Sequence, residues 1–180
     1  MIQVVPNHTL ELTKAIKQRL FELMRHAYAV TEEDIWGKDY DRLEREEYFQ
    51  LLNSGVFYIA LENDQILGSI QVYRKDNETF GFGLLNVDFD HTGKNIGARL
   101  IGAAENHAME NGGTTMQLEI IRAEEPVSDF KKWLRKYYEQ LGYVFNKTVP
   151  FEFIEQDKPE KREDMKTNAV FDILQKSLLA

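Results

Sequence analysis

Three strand-like segments follow one another in the middle of the chain, and a helix-like segment comes directly after them. Residues 56–61, 66–73 and 79–88 are rich in β-branched, aliphatic and aromatic side chains, and polar turns separate them. Residues 96–111 then carry apolar side chains at three- and four-residue spacing, which is typical of an amphipathic helix. This order predicts a β-meander whose last strand leads into a helix.

The flanking regions add helices and strands on both sides of this meander. The predicted strands are residues 2–5, 114–121, 143–154 and 168–174, and the predicted helices are residues 10–27, 32–53 and 130–141. Thr31 is the expected N-cap of the second helix, which should break near Gly37. The resulting order, β-α-α-β-β-β-α-β-α-β-β, predicts an α/β fold with a mixed, mostly antiparallel twisted sheet flanked by helices.

The domain organisation follows from what the chain lacks. No internal repeat and no linker divides it, so residues 1–180 are expected to form a single domain. Residues 155–166 are dense in charge and include Pro159, which favours an exposed loop or a short helix without chemistry of its own. Gly81 and Gly83 lie inside a predicted strand, where they indicate a bulge or a close backbone approach.

Composition narrows the classes of function. The chain has no cysteine, which excludes a disulfide scaffold, cysteine-ligated zinc, iron–sulfur clusters and a cysteine nucleophile. Its 30 acidic and 22 basic residues give a net charge of −8, which disfavours a nucleic acid partner. The longest apolar stretch, residues 55–61, is too short to span a bilayer, so we expect a cytoplasmic protein with no membrane partner. The four histidines are scattered without metal-ligand spacing, so no metal is expected.

The segment from Leu85 to Ile101 carries the most chemical information. A strand ends there, a polar turn follows, and a helix begins, so free backbone N–H groups and the positive end of the helix dipole converge on one point. Gly93 and Gly97 allow close approach to the main chain, and Lys94 adds a positive charge. A diphosphate is the natural ligand of such a turn. The P-loop and Rossmann patterns are absent.

Two segments resemble motifs of the GCN5-related N-acetyltransferase (GNAT) family, and they occur in that family's order. Leu85-Asn86-Val87 and Thr92-Gly93-Lys94-Asn95-Ile96-Gly97 are similar to the L-x-V strand end and the Q/R-x-x-G-x-G/A coenzyme A loop. The stretch from Tyr137 to Tyr143 is similar to F-Y-E-K-L-G-F. The resemblance is strongest over residues 56–145. It implies an N-acetyltransferase that moves an acetyl group from acetyl-coenzyme A to an amine by direct attack.

The resemblance also implies which residues bind the coenzyme. Main-chain groups of Leu85 and Val87 would pair with the pantetheine arm, as an added strand does. The diphosphate would be held by the loop and the helix start, namely Thr92, Gly93, Lys94, Asn95, Ile96, Gly97 and Ala98.

Three positions depart from the family pattern. Thr92 replaces the Gln or Arg, Asn95 replaces the first glycine, and no asparagine lies near Lys131. Asparagine tolerates a left-handed backbone better than most residues, so the loop can keep its shape. These departures leave two alternatives beside the enzyme: a coenzyme-binding protein with weak or lost catalysis, and an interaction module that keeps only the fold.

The resemblance assigns the proton donor to Tyr138. A tyrosine hydroxyl with a pKa of about 10 can protonate a departing thiolate with a pKa of about 8.5 when the two are held close and dry. A core tyrosine is the structural alternative, and we expect that role for Tyr137. The general base stays open between Asp88, Glu119, Glu32 or Glu33 and a chain of water molecules.

The acceptor amine is defined only by class. Tyr28 and Trp36 are candidate walls of an acceptor pocket, although core packing explains both equally well. Arg122 would hold a carboxylate of the acceptor or pair with its acidic neighbours. The expected partner is a small-molecule or peptide amine, and a homodimer is left open.

Overall fold

The computed structural model describes residues 1–156, 158 and 160–179. Within them, seven strands form a mostly antiparallel open sheet flanked by helices, which is a mixed α/β fold. The fold class predicted from the sequence is confirmed. The chain forms two compact units: the first comprises residues 1–28 and 41–116 with the C-terminal residues from Ser177, and the second comprises residues 29–40 and 117–176. That the whole chain acts as one domain stays a prediction.

The first unit contains the meander. Its strands are β1 (Gln3–Pro6), β2 (Val56–Glu62), β3 (Gln65–Arg74) and β4 (Thr79–Val87), which pair antiparallel in that order. Its helices are α1 (Lys14–Thr31), whose last residues belong to the second unit, α3 (Arg45–Ser54) and α4 (Ile96–Glu110). Asn63 and Asp64 both have positive φ, which gives the β2–β3 hairpin a turn that matches the twist of its strands.

The core of the first unit lies where α1 and α3 pack on the meander. Apolar side chains of both helices and of β2, β3 and β4 form one buried cluster, which includes Leu20, Met24, Leu52, Phe57 and Leu84. The apolar spacing of residues 10–27 predicts this face of α1 correctly. Helix α4 packs against β2, β3 and β4, which holds its first turn at the end of β4.

The second unit contains the other elements: α2 (Glu33–Trp36), β5 (Thr115–Ala123), α5 (Asp129–Gln140), β6 (Val144–Pro150), α6 (Phe151–Ile154), α7 (Lys161–Asp164) and β7 (Ala169–Ser177). Its strands lie in the order β5-β7-β6. Its core includes Ile35, Trp36, Phe151 and Phe171. The charged segment from residue 155 to residue 166 contains the expected short helix, and Asp157 and Pro159 lie outside the described residues.

Several predicted element bounds are wrong. Helix α1 begins at Lys14 rather than at residue 10, and residues 37–44, predicted as part of the second helix, are not helical. Thr31 is not an N-cap, because α1 continues through it and Glu32 precedes α2. No glycine or proline interrupts the chain between Ala27 and Thr31, so the helix has no local reason to stop earlier. The strand predicted to reach Ile154 ends at Pro150, and the next four residues form a helical turn. Pro150 lacks a backbone N–H, and burial of Phe151 in the second core directs the chain away from the sheet.

Candidate active site

A β-bulge interrupts β4 before its end. Ser69 pairs with Asn86 and Gln71 pairs with Gly83, so β4 has one more residue than β3 between these two pairs. Leu84 carries the irregularity, with a φ of 52°. The bulge predicted around Gly83 therefore exists one residue later, whereas at Gly81 the close neighbour is the ring of Tyr73 rather than a backbone.

The turn between β4 and α4 has the geometry of an anion-binding loop. Gly93 has a φ of 84°, which is a left-handed backbone conformation that glycine adopts without strain. A Cβ added at this position would face open space. Asn95 is the N-cap of α4 and is also left-handed, with φ 57° and ψ 26°. It takes the conformation that a glycine would otherwise supply. The departure at Asn95 therefore leaves the loop conformation intact.

The start of α4 presents free backbone donors. The first bond of the helix runs from the Arg99 N–H to the Asn95 carbonyl, so the N–H groups of Ile96, Gly97 and Ala98 precede the helical hydrogen-bond ladder. Ile96 is buried and anchors this turn in the core. Residues 92–95 are exposed, and Gly97 and Ala98 are half-buried. A helix of this length adds its positive dipole end to the same point.

Lys94 forms an ion pair that sequence reasoning did not predict. Its Nζ donates to Glu62 Oε2 over 3.0 Å, and both side chains are partly exposed. The hydrogen bond from Lys94 is the main cause that lowers the pKa of the Glu62 carboxyl below its usual value. The positive charge that Lys94 adds to the loop is therefore already paired.

Asp88, one of the candidate bases, is engaged in an ion pair. Arg19 Nη2 donates to its Oδ2 over 2.7 Å, and the Asp90 N–H donates to its Oδ1. His91 Nδ1 lies 3.4 Å from the same carboxylate. Both oxygens of the Asp88 carboxylate therefore already accept hydrogen bonds from the protein. In this arrangement Asp88 holds the start of the β4–α4 turn against α1.

Tyr138 lies in the second unit, on α5. It is 6% exposed, and its ring contacts Tyr137 at 5.6 Å and Tyr143 at 6.0 Å between centroids. Tyr137 stacks on the exposed Trp133, and burial raises the pKa of its hydroxyl. The Ser128 hydroxyl accepts from the Lys131 N–H at the start of α5. The motif therefore has one deeply buried tyrosine beside one that is half-buried.

The three predicted acceptor residues are all in contact with other side chains. In the first unit, Tyr28 is half-buried against the core, with the Arg42 guanidinium 4.5 Å from its ring centroid. In the second unit, Trp36 is buried, donates from Nε1 to Glu32 Oε2 over 3.0 Å and stacks on Tyr40. The contacts of Tyr28 and Trp36 are those expected of packing residues.

Arg122 pairs with a distant acid rather than with its neighbours. Its Nε donates to Asp172 Oδ2 over 2.8 Å, and its Nη1 donates to the carbonyls of Ala123 and Glu124. Asp172 is buried and also accepts from the Thr148 hydroxyl. This arrangement joins neighbouring strands of the second unit.

The other candidate bases, Glu32, Glu33 and Glu119, lie in different surroundings. Glu32 is buried beside Trp36, Glu33 is exposed, and Glu119 accepts from Gln117 Nε2 over 3.0 Å. In the described part of the chain, no group of three or more His, Cys, Asp or Glu side chains is arranged to hold a metal ion. Of the helices in those residues, none has the length and apolar content needed to cross a membrane.

Comparison with known families decides the relationship. The model of the Acetyltransferase (GNAT) family matches residues 18–143, which is well over half of the chain. The chain belongs to the GNAT acetyltransferase family. The resemblance noted at the coenzyme loop and around Tyr138 is thus confirmed at the level of the family.

Solved GNAT structures share the fold over nearly the full length. An aminoglycoside 6'-N-acetyltransferase complexed with coenzyme A is 16% identical with a TM-score of 0.71, and the alignment covers 100% of this chain and 98% of that one. The aminoglycoside 6'-N-acetyltransferase from Enterococcus faecium is 16% identical with a TM-score of 0.68, covering 100% and 98%. A GNAT acetyltransferase from Elizabethkingia anophelis with acetyl-CoA bound is 16% identical with a TM-score of 0.65, covering 98% and 97%. Among curated proteins no significant match was found.

Proposed function

We propose that this GNAT protein transfers the acetyl group of acetyl-CoA to an amine of a small molecule or peptide in the cytoplasm. The observation that carries the proposal is the β4–α4 turn, where left-handed Gly93 and Asn95 lead into the free N–H groups of Ile96, Gly97 and Ala98. Those donors and the helix dipole suit a diphosphate. Structural neighbours that contain coenzyme A or acetyl-CoA support the choice of co-substrate.

The pantetheine arm would pair with main-chain groups of Leu85 and Val87 at the end of β4. Bulges turn a strand's backbone groups away from its neighbour, which makes them available to a ligand that adds as a strand. The bulge at Leu84 lies directly before these residues and supports the assignment.

The chemical step is an attack of the neutral amine nitrogen on the thioester carbonyl carbon. A C–N bond forms, the C–S bond breaks, the nitrogen loses a proton and the departing thiolate gains one. We propose that Tyr138 supplies the proton to the thiolate, on the strength of its position in the Tyr137–Tyr143 motif. Asp88 is a poor candidate for the base because Arg19 and the Asp90 N–H already donate to its two carboxylate oxygens. Glu32, Glu33, Glu119 and a chain of water molecules stay as candidates.

The acceptor is proposed by class only. Aminoglycoside 6'-N-acetyltransferases among the structural neighbours make aminoglycosides the first members of a test panel, followed by polyamines and lysine-containing peptides. Tyr28 and Trp36 are kept as proposed acceptor walls and Arg122 as a proposed carboxylate contact, each through a side chain that already has a packing or pairing role.

Titration calorimetry with acetyl-CoA, followed by a thiol-release assay across the acceptor panel, tests the proposal. We expect saturable binding and thiol release that depends on one class of amine. Absence of saturable binding would contradict the proposal. Saturable binding without thiol release from any amine would favour the second candidate, a coenzyme-binding protein. Thr92 and the Lys94–Glu62 pair favour that candidate, because both reduce the attraction of the loop for phosphate.

A further inference from the structure

Leu84, at the bulge of β4, has an uncommon backbone conformation. Leu84 has a φ of 52° although it is a branched apolar residue, and its side chain is buried in the core of the first unit. Such residues rarely adopt the left-handed region, because the Cβ then crowds the backbone. A strained conformation of this kind persists only where surrounding contacts enforce it.

The side chain of Asn86 makes the contact that enforces the bulge. Its Nδ2 donates to the Leu84 carbonyl over 2.9 Å and to Ser69 Oγ over 3.0 Å, and the residue is 3% exposed. A backbone carbonyl can only accept, so the amide must present its nitrogen to Leu84. Asn86 therefore links Leu84, at the bulge, to Ser69, the residue of β3 with which Asn86 itself pairs.

The same side chain has an unpaired acceptor in the core. Asn86 Oδ1 is buried and has no hydrogen-bond partner among the described residues. A buried acceptor without a partner lowers stability, and an apolar residue of similar size would avoid that cost. Core packing by itself therefore does not account for an asparagine at this position.

Asn86 lies between the two residues whose main chain we propose to bind the pantetheine arm. Leu84 and Asn86 are buried, while Leu85 and Val87 are half-buried, so the two sets of side chains alternate along the strand. Release of the Leu84 carbonyl would allow the bulge to relax and would change the direction of the Leu85 N–H and C=O groups.

We propose that Asn86 is a positioning residue for the coenzyme: by holding the Leu84 carbonyl, it sets the direction of the main-chain groups of Leu85 and Val87. This inference rests on the proposed function, since it assigns Asn86 to the acetyl-CoA site. Coenzyme affinity and stability usually fall together when a buried residue is replaced. Loss of the Asn86 amide, in contrast, should weaken coenzyme binding more than it weakens the fold.

The test compares Asn86→Leu with Ser69→Ala in the full-length chain. Asn86→Leu fills the same space but cannot hold the Leu84 carbonyl. Ser69→Ala removes the other partner of the same amide and leaves the Leu84 bond in place. Acetyl-CoA affinity is measured by calorimetry and the midpoint of thermal unfolding by circular dichroism. We expect Asn86→Leu to weaken acetyl-CoA binding at least ~10-fold with an unfolding midpoint within about 5 °C of the parent, and Ser69→Ala to bind within about twofold of the parent.

The outcomes distinguish this inference from the proposed function. If the parent binds acetyl-CoA and Asn86→Leu binds it within about twofold, Asn86 does not position the coenzyme and the inference is overturned. If Asn86→Leu does not fold, Asn86→Ala is measured by the same criteria. Failure of both to fold would assign Asn86 to the core alone and would also overturn the inference. If the parent does not bind acetyl-CoA at all, the proposed function itself fails.

Discussion

The Lys94 ammonium lies 3.0 Å from the Glu62 carboxylate, so the only basic side chain between Thr92 and Ala98 is paired in the free protein. A diphosphate bound to this loop would meet both the cation and the acid that holds it. The backbone donors of the α4 start must therefore provide most of the attraction.

Glu62→Gln should strengthen acetyl-CoA binding by about two- to fivefold, because it removes a negative charge beside the loop and leaves Lys94 free to turn toward phosphate. The gain should shrink between low and physiological salt, since both groups are partly exposed. Calorimetry at two ionic strengths measures it. The control is Asp64→Asn, which removes one negative charge from the adjacent β2–β3 turn and should change the acetyl-CoA affinity less. An equal gain in both variants would show that the net charge, and not the release of Lys94, sets the affinity.

Gly97→Asp should weaken acetyl-CoA binding at least ~10-fold, because it adds bulk and a negative charge at the first turn of α4, where phosphate is expected. Gly102→Asp is the matched control: it lies in the same helix, and a Cβ added there faces open space. Lys94→Ala should cost less than Gly97→Asp, because backbone donors remain. Unchanged affinity in a folded Gly97→Asp protein would mean that this turn is not the coenzyme site.

Tyr138→Phe should lower turnover by ~10²-fold or more and leave acetyl-CoA affinity nearly unchanged, because it removes the proposed proton donor and keeps the ring contacts with Tyr137 and Tyr143. Steady-state kinetics with an acceptor that the parent acetylates measures the effect. Tyr137→Phe is the control and should change turnover little. Equal turnover of the parent and Tyr138→Phe would remove Tyr138 from the mechanism.

His107 should make the fold less stable in mild acid. Burial is the main cause that lowers the pKa of its imidazole below the usual value of 6.5, with Arg74 acting in the same direction and Glu110 against it. The unfolded chain then binds the proton more readily than the folded one, so stability is lost as the pH falls from about 7 through the lowered pKa. The Tyr58 hydroxyl, 3.2 Å from Nδ1, can donate to the neutral ring.

His107→Gln provides the comparison for this pH dependence. Between pH 7.5 and pH 5 the unfolding midpoint of the parent should fall by about 1–2 °C more than that of the variant, a small difference because the ring is partly solvated. Parallel pH profiles for the two proteins would show that His107 does not contribute.

Tyr48→Phe should leave the free energy of unfolding unchanged or raise it by up to about 1 kcal/mol. The ring is fully buried and contacts Phe21 and Phe57, while its hydroxyl lies near Ser69 but makes no hydrogen bond of normal geometry among the described residues. Burial raises the pKa of that hydroxyl well above its usual value. Denaturant unfolding measures the change. Tyr48→Ala, which removes the ring as well, should lower the free energy of unfolding by about 3–5 kcal/mol. A decrease of more than about 1 kcal/mol in Tyr48→Phe would instead reveal a stabilising contact of the hydroxyl.

The sequence by itself determined the order of the elements and the backbone shape of the turn between β4 and α4. Runs of β-branched, aliphatic and aromatic residues between polar turns predict the meander. Three- and four-residue spacing predicts α1 and α4, and Gly93 and Asn95 favour the left-handed backbone that the turn requires. These features depend on residues close together in the chain, so local preferences are enough to predict them. The errors, among them those at Thr31 and after Pro150, lie at element ends, where small differences between local and tertiary contacts decide the boundary.

Only the tertiary structure decided which charged and polar groups meet. Lys94 pairs with Glu62, which is 32 positions away in the sequence. Arg122 pairs with Asp172 over 50 positions, and Asp88 pairs with Arg19 over 69 positions. No periodicity encodes such pairs, because they depend on the register between strands and on the placement of a helix against the sheet. The same is true of the bond from Asn86 to Leu84, which spans two residues but exists only because pairing with β3 leaves one residue of β4 in excess. The backbone of the β4–α4 turn is therefore predictable from the sequence, whereas the contacts between its side chains and the rest of the protein arise from packing between distant segments.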